Sequence, residues 1–341
     1  MNIRDLAKHL NVSIGTMSRA LNGRPYVDDD LRQRIIAAAK EFGYTPSFAG
    51  RSLRQGSSGM VAMKLPISNG LVVADTIFMT VLEGLRRYFS AQELDLVVLF
   101  ADPDLHDISY LRRVVERSLF EGLIIADLLQ ADPRIEYLLE RKVPFVGFGR
   151  SQTAGSYAWI DFDLEGATKA AVERFRRQGH SHIALGTTAN SVNYGRVVET
   201  AFREAQASAG VPVDEDMIIR VEGSERGGYL LGERWLGLAP RPTAIVLANE
   251  QIAIGLYRRL AESGLAPGRD LSQIAIIEEP SARFLRPPVT RFTADLQGLG
   301  VRLGEVLHQQ IRAPGHAPPI QQLWPMQLTV GDSDGRIGTA A

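Results

Sequence analysis

From residue 60 onward the chain alternates short apolar runs with amphipathic stretches of helical length, and this alternation restricts its fold more than any other feature. The apolar runs fall at 60–65, 94–100, 122–126, 144–147, 182–186, 217–221, 244–248 and 273–277. Between them, 75–91, 107–119, 133–141, 164–178, 194–209, 226–236 and 251–263 carry apolar residues at helical spacing. Strand and helix in turn imply a parallel sheet, because a crossover helix packs back onto the sheet with one hand only. About eight strands before residue 280 suit two doubly wound sheets better than one. No fixed-period repeat interrupts the pattern, and the tail 331–341 reads as frayed.

With 341 residues, 45% of them hydrophobic and 23% charged, the chain can bury its own core without a staple. It has no cysteine, which excludes disulfides, thiolate nucleophiles and cysteine-held zinc or iron–sulfur centres. No apolar run nears the roughly 20 residues that span a bilayer. The charged start at residues 1–5 does not resemble a secretory signal, so a cytoplasmic protein with no membrane partner is expected. The net charge of −1 favours no partner when taken whole. Divided at Ser58, however, the first part holds nine Lys and Arg against five Asp and Glu, and the rest holds 29 against 34. Only the N-terminal segment is a candidate for a polyanion.

The first 46 residues read as three short helices. Asp5, Leu6, Ala7 and Leu10 make one helical face, Asn11 and Val12 a tight break, and Ser13 caps a second helix that runs through Leu21. Asn22-Gly23-Arg24-Pro25 stops it. Asp28 caps a third, with Leu31, Ile35, Ala38, Ala39 and Phe42 at helical spacing before Gly43 and Pro46. Residues 5–22 thus form a helix-turn-helix. Ala7 is small where the helices cross, Asn11 tolerates a left-handed backbone, and Val12 and Met17 pack inward. Ile14, Gly15, Ser18 and Arg19 face outward, a surface that fits a major groove about 12 Å wide. A three-helix cap with a solvated face is the competing reading. Turn, cap, charge sign and the basic segment that follows all favour DNA.

Here the sequence resembles the lactose-repressor (LacI/GalR) family of bacterial transcription regulators. The matching residues are Val12, Ser13, Thr16, Ser18, Arg19, Leu21 and Asn22, then Tyr44 and Pro46, then Arg51-Ser52-Leu53-Arg54. The resemblance implies that Ile14 and Gly15 occupy base-reading sites and that Arg19 contacts a guanine or a phosphate. It also implies that Ser13, Thr16 and Asn22 anchor phosphates. Gly15 offers no side chain, so base reading would fall more heavily on Arg19. Residues 47–54 match the family's hinge helix, whose Leu53 would wedge between central base pairs while Arg51 and Arg54 hold the backbone. Ser47 and Gly50 depart from the usual Asn and Ala, and Gly in a helix costs about 1 kcal/mol relative to Ala. A plain flexible linker is the alternative there.

The resemblance continues through Asp163-Leu164-Glu165-Gly166-Ala167, Gly179-His180, 241–245, 248–255 and Pro287-Pro288-Val289-Thr290. It implies an α/β effector domain of two doubly wound parallel-sheet subdomains, periplasmic-binding-protein-like, expected over 59–178 with 291–321 and over 179–290 with 324–331. The organisation expected is thus a helix-turn-helix DNA-binding domain at 1–46, a hinge helix and linker at 47–58, an effector-binding and dimerisation domain at 59–331 and a flexible tail at 332–341.

A sugar needs planar partners for its hydroxyl pairs and an aromatic face for its ring, beyond the carboxyl ends of the strands. Candidates at such positions are Asp75, Phe78, Arg150, Asp161, Asp163, Asn249 and Glu278. The resemblance adds Arg196, placed where the family has its ligand-binding arginine. Each of these residues could equally be a helix cap or a surface ion pair. Ile277 stands where the family usually has an Asp, with Glu278 or Glu279 as substitutes, and Ala294 stands where a Gln is common. The loop 67–74 also looks longer than usual, so the effector is expected to be an oligosaccharide, a glycoside or a sugar derivative.

No dinucleotide, P-loop, nucleophile-elbow or zincin motif is present, and the six histidines lack metal spacing. An enzyme is therefore not expected, and neither is a cofactor or a metal. The expectation is a homodimeric repressor of carbohydrate-utilisation genes at the bacterial nucleoid. It would bind double-stranded operator DNA and be released by a sugar-like effector. A co-repressor or activator logic on the same architecture stays open.

Overall fold

The structure is a computed structural model that describes residues 3–21, 25–44, 58–65, 76–100, 107–189, 191–276, 280–313 and 318–336. The chain divides into two compact units, Met1–Ser58 and Gly59–Ala341.

The first unit contains α1 (Ile3–His9), α2 (Ile14–Leu21) and α3 (Asp29–Glu41). Local chemistry sets each boundary. The Val12 amide donates to the Ala7 carbonyl at 3.0 Å, and Asn11 turns the chain in the left-handed region at φ 54°. Ser13 Oγ accepts from the Thr16 amide at 3.0 Å, and Asp28 accepts from the amides of Asp30 and Leu31. Leu6, Ala7, Met17, Ala20, Ile35, Ala38 and Ala39 close over one small core. Phe42, expected on the inner face of α3, instead lies beyond the helix end and is exposed, with its ring edge-on to His9 at 4.8 Å.

The second unit is built on two six-stranded sheets. Its strands are β1 (Met60–Leu65), β2 (Asp95–Phe100), β3 (Gly122–Ile125), β4 (Phe145–Phe148), β5 (Ala158–Phe162), β6 (Ile183–Thr188), β7 (Ile218–Val221), β8 (Ala244–Leu247), β9 (Ser272–Ala275), β10 (Thr290–Thr293), β11 (Gln321–Trp324) and β12 (Gln327–Thr329). Its helices are α4 (Thr76–Ala91), α5 (Ser109–Glu116), α6 (Pro133–Glu140), α7 (Leu164–Arg177), α8 (Asn193–Ser208), α9 (Glu225–Leu236), α10 (Glu250–Glu262) and α11 (Leu296–Arg312). The sheet orders are β11-β5-β4-β3-β1-β2 and β12-β10-β9-β8-β6-β7, parallel throughout except that β12 runs against β10. Strand order reverses between β1 and β3 in one sheet and between β6 and β8 in the other. A doubly wound sheet opens a crevice at that point, beyond its carboxyl ends.

Three features differ from the sequence expectation. β10 belongs to the second sheet and β11 to the first, so the chain crosses between subdomains after β5, after β10 and after β11. α11 has no counterpart among the expected helices, and β5, β10, β11 and β12 have none among the expected strands. In α11, Gly298, Gly300 and Gly304 weaken the helical signal, yet Gly300 is what lets α11 touch α4, since a Cβ there would strike the Val81 carbonyl. The tail is not frayed at 332–335, where Ser333 is fully buried and bonds both ways to the Gln273 backbone.

Candidate functional site

The outward face of the first unit follows from the inward one. Met17 and Ala20 of α2 are buried, which by helical rotation leaves Ile14, Gly15 and Arg19 in solvent, with Thr16 and Ser18 half-buried. Ile14 is 46% exposed, unusual for a large apolar side chain without a partner. Ser13 Oγ is occupied locally by the Thr16 amide and hydroxyl, so its first role is to shape the turn. Tyr26 was passed over in the sequence reading. It stands 94% exposed on a backbone at φ 71°, a strained conformation for an aromatic residue and one often kept for function. Asn22, Arg51, Leu53 and Arg54 lie outside the described residues.

The cleft of the second unit gathers side chains from the carboxyl ends of both sheets. Ile77 and Phe78 follow β1, Asp127 follows β3, Arg150 follows β4, Asp161 and Phe162 end β5, Tyr194 follows β6, and Asn249, Glu250 and Gln251 follow β8. Phe78 packs edge-on to Phe148 at 5.8 Å, and Phe148 edge-on to Phe162 at 5.7 Å, giving one wall an aromatic ladder. Arg150 ion-pairs with Asp161 at 3.0 Å and with Glu165, and its guanidinium lies over the Trp159 ring. Burial pushes Asp161 up to about 7 against the pull of Arg150, with Glu165 adding to the rise. Burial likewise raises Asp127 to about 6.

The two walls are tied directly. The Asn193 amide donates to the Leu128 carbonyl at 2.8 Å, its Nδ2 donates to the Arg150 carbonyl at 2.9 Å, and Leu129 and Val192 form a β-bridge.

Of the eight expected effector residues, Phe78, Arg150, Asp161 and Asn249 line this cleft together. Asp75 and Glu278 lie outside the described residues. Asp163 does not line it but caps α7, its carboxylate accepting from the Gly166 amide at 3.0 Å. Arg196 is exposed and also absent from the lining. Arg196 lies in the first turn of α8, two residues after Tyr194, which does line the cleft. Asp127, Tyr194 and Glu250 were missed. Their place depends on strand order, which no local pattern announces.

Asn249 combines two roles. Its Oδ1 accepts from the Ile252 amide at 2.9 Å and caps α10, while its Nδ2 points toward the Tyr194 hydroxyl at 3.5 Å. Asn249→Asp preserves the cap and removes the donor. It should keep thermal stability within about 1 kcal/mol of the parent while weakening saccharide binding about tenfold, whereas Asn249→Ala also loses the cap, typically about 1 kcal/mol. Equal saccharide affinity in Asn249→Asp and the parent would remove Asn249 from the site.

No group of described residues forms a metal cluster, and no described helix is long and apolar enough to cross a membrane. Residues 2–47 match the model of bacterial regulatory proteins of the lacI family, and residues 172–333 match that of a periplasmic binding protein-like domain. The HTH-type transcriptional regulator AglR of Rhizobium meliloti (strain 1021) is 30% identical over 341 residues, covering 98% of this chain and 94% of that protein. The ribose operon repressor of Haemophilus influenzae is 24% identical, with 92% of each chain covered. Among solved structures, the lac repressor dimer bound to operator and the anti-inducer ONPF superposes with a TM-score of 0.84 at 22% identity, covering 98% of each chain. A CelR–cellobiose complex does so at 0.75 and 22%, covering 98% of this chain and 99% of that one; both likenesses show the fold. The chain belongs to the LacI family: it is a helix-turn-helix DNA-binding transcription regulator with a periplasmic-binding-protein-like domain, and not an enzyme.

Proposed function

We propose that this regulator is a repressor of carbohydrate-utilisation genes, working in the bacterial cytoplasm as a homodimer. A sugar or sugar derivative in the cleft would lower its operator affinity. The observation that carries the reading is that the cleft draws its lining from both subdomains, whose walls Asn193 already bridges. A molecule seated there contacts both walls and so can bias their relation, which is what coupling to a second site requires. The polar groups and the aromatic ladder suit a polyhydroxylated ring. The homodimer is supported by apolar side chains left in solvent on the second subdomain, Phe284 at 86% and Leu230 at 43% exposure. Two-fold symmetry would then pair two α2 helices with the half-sites of a near-palindrome.

The test selects a duplex from random sequence with the full-length protein and titrates neutral saccharides into the complex. Release supports the reading, and tightening would replace it with co-repression. On the same duplex Arg19→Ala should lose at least tenfold in specific affinity, a good bidentate base contact being worth about 1–3 kcal/mol. An equal loss on random DNA would make Arg19 a phosphate contact.

A further inference from the structure

Arg150 stands where the two subdomains meet. It follows β4 in the first subdomain, and the next strand, β5, carries Asp161 one residue before its end. By Leu164 the chain has crossed, because α7 packs on α8 and β8 of the second subdomain. Glu165 lies in the first turn of α7. The Arg150 guanidinium takes both acids at once, Asp161 Oδ2 at 3.0 Å from Nε and Glu165 Oε2 through Nη2. Two carboxylates thus share one cation, and one negative charge is left over.

The ion pair to Glu165 therefore spans the crossover at Phe162, Asp163 and Leu164. Turning one subdomain against the other changes backbone dihedrals there, and the reach from Arg150 to Glu165 changes with them. The guanidinium is poorly placed to follow. It is a rigid planar fork, it is paired with Asp161 of its own subdomain, and it lies over the Trp159 ring at 5.8 Å. The backbone of residue 150 meets the second subdomain as well, its carbonyl accepting from Asn193 Nδ2 at 2.9 Å. Among the described residues, the charged and titratable groups facing Asp161 are Arg150 after β4, Glu165 on α7 and the Tyr157 hydroxyl ahead of β5, while Asp127 and Glu250 share the cleft with it.

We propose that Arg150 is a strut across this crossover, holding the cleft walls at their bridged spacing, and that its grip is set by the charge on Asp161. The proposal concerns the protein without ligand and holds whatever the effector is. Asp161 lines the cleft and is nevertheless only 5% exposed. Parting the walls brings water to it, so its carboxylate ionises more readily in the parted arrangement than in the bridged one. In the bridged arrangement burial raises it to about 7, opposed by Arg150 and assisted by Glu165. Protons favour the arrangement in which the group's value is higher. Acid therefore holds the walls together. As pH rises through about 7, the ionised Asp161 repels Glu165 and competes with it for the one guanidinium, and the walls part. Asp127, raised to about 6 by burial, acts in the same direction at lower pH.

The chain has no cysteine, so two can be introduced as its only labelling sites. Glu136→Cys and Arg226→Cys place nitroxides on the exposed first turns of α6 and α9, one in each subdomain. Double electron–electron resonance then reads the distance between them in the full-length protein, diluted with unlabelled chains. The longer-distance population should grow about threefold or more between about pH 6 and pH 8.5, since a one-unit difference between the two arrangements is worth up to about tenfold. Glu165→Ala, a change outside the cleft lining, should raise that population at the acid end, and Arg150→Gln, checked by circular dichroism, should do the same. Asp161→Asn should keep the parent's acid distribution at every pH. If neither Glu165→Ala nor Arg150→Gln raises the longer-distance population, the strut is overturned. A parent distribution that ignores pH, or a pH response in Asp161→Asn as large as the parent's, removes Asp161 from the role.

Discussion

Arg134→Met should destabilise the second unit by about 3–5 kcal/mol, the usual effect of stripping one partner from a buried ion pair. Arg134 is 1% exposed and Asp132 fully buried. Removing the guanidinium leaves the Asp132 carboxylate with its backbone donors, the amides of Leu129 and Arg134 at 2.9 Å each, but with no counter-charge. The carbonyls of Ala126 and Asp127 lose their donor as well. Arg134→Lys should recover little, because a single ammonium cannot reach two carbonyls and a carboxylate from one position. The double variant Asp132→Asn/Arg134→Met should recover a substantial part, since it removes both charges while the amide side chain still caps α6. Urea unfolding followed by tryptophan fluorescence is a clean readout, because all three tryptophans, Trp159, Trp235 and Trp324, lie in the second unit. A curve for Arg134→Met that overlays the parent would show that the clasp is not what holds the Asp127 loop.

The same loop shows where sequence reading succeeds and where it stops. Ser13, Asn11 and Asp28 were readable because each acts on an amide or a dihedral within three residues of itself. Apart from β5, the strands before residue 280 and their helices were readable because their periodicities differ. α11 failed for a physical reason. Three glycines depress helix propensity, and their value appears only when a second helix, α4, lies against them. β5 failed because Ala-Trp-Ile-Asp-Phe mixes a buried carboxylate into its run, and that Asp161 is a cleft residue rather than a break. Asp127 could not be singled out because β3 lies beside β1 only in the folded sheet.

Deleting residues 331–341 should unfold or gravely weaken the second subdomain, an effect of several kcal/mol. The segment is inlaid between β9 and β10. The Gln273 amide donates to the Ser333 carbonyl at 2.7 Å, the Thr290 amide to Ser333 Oγ at 2.8 Å, and the Gly335 carbonyl accepts from His180 Nε2 at 2.9 Å. The Asp334 carboxylate is buried and takes Arg174 Nε at 2.7 Å together with Gln178 Nε2 and Thr290 Oγ1. Gln273 and Thr290 are themselves fully buried, so deletion would strand their amides in the interior, at about 1–3 kcal/mol for each unmet donor. Burial already holds His180 below its ordinary value, and losing the Gly335 acceptor would leave its Nε2 proton without a partner. A chain ending at Arg336 keeps every one of these bonds and should melt like the full-length protein. The contrast between the two truncations, read by urea unfolding and by saccharide titration, is decisive: if the shorter chain is as stable as the longer one, the inlaid segment contributes nothing to the fold of the effector domain.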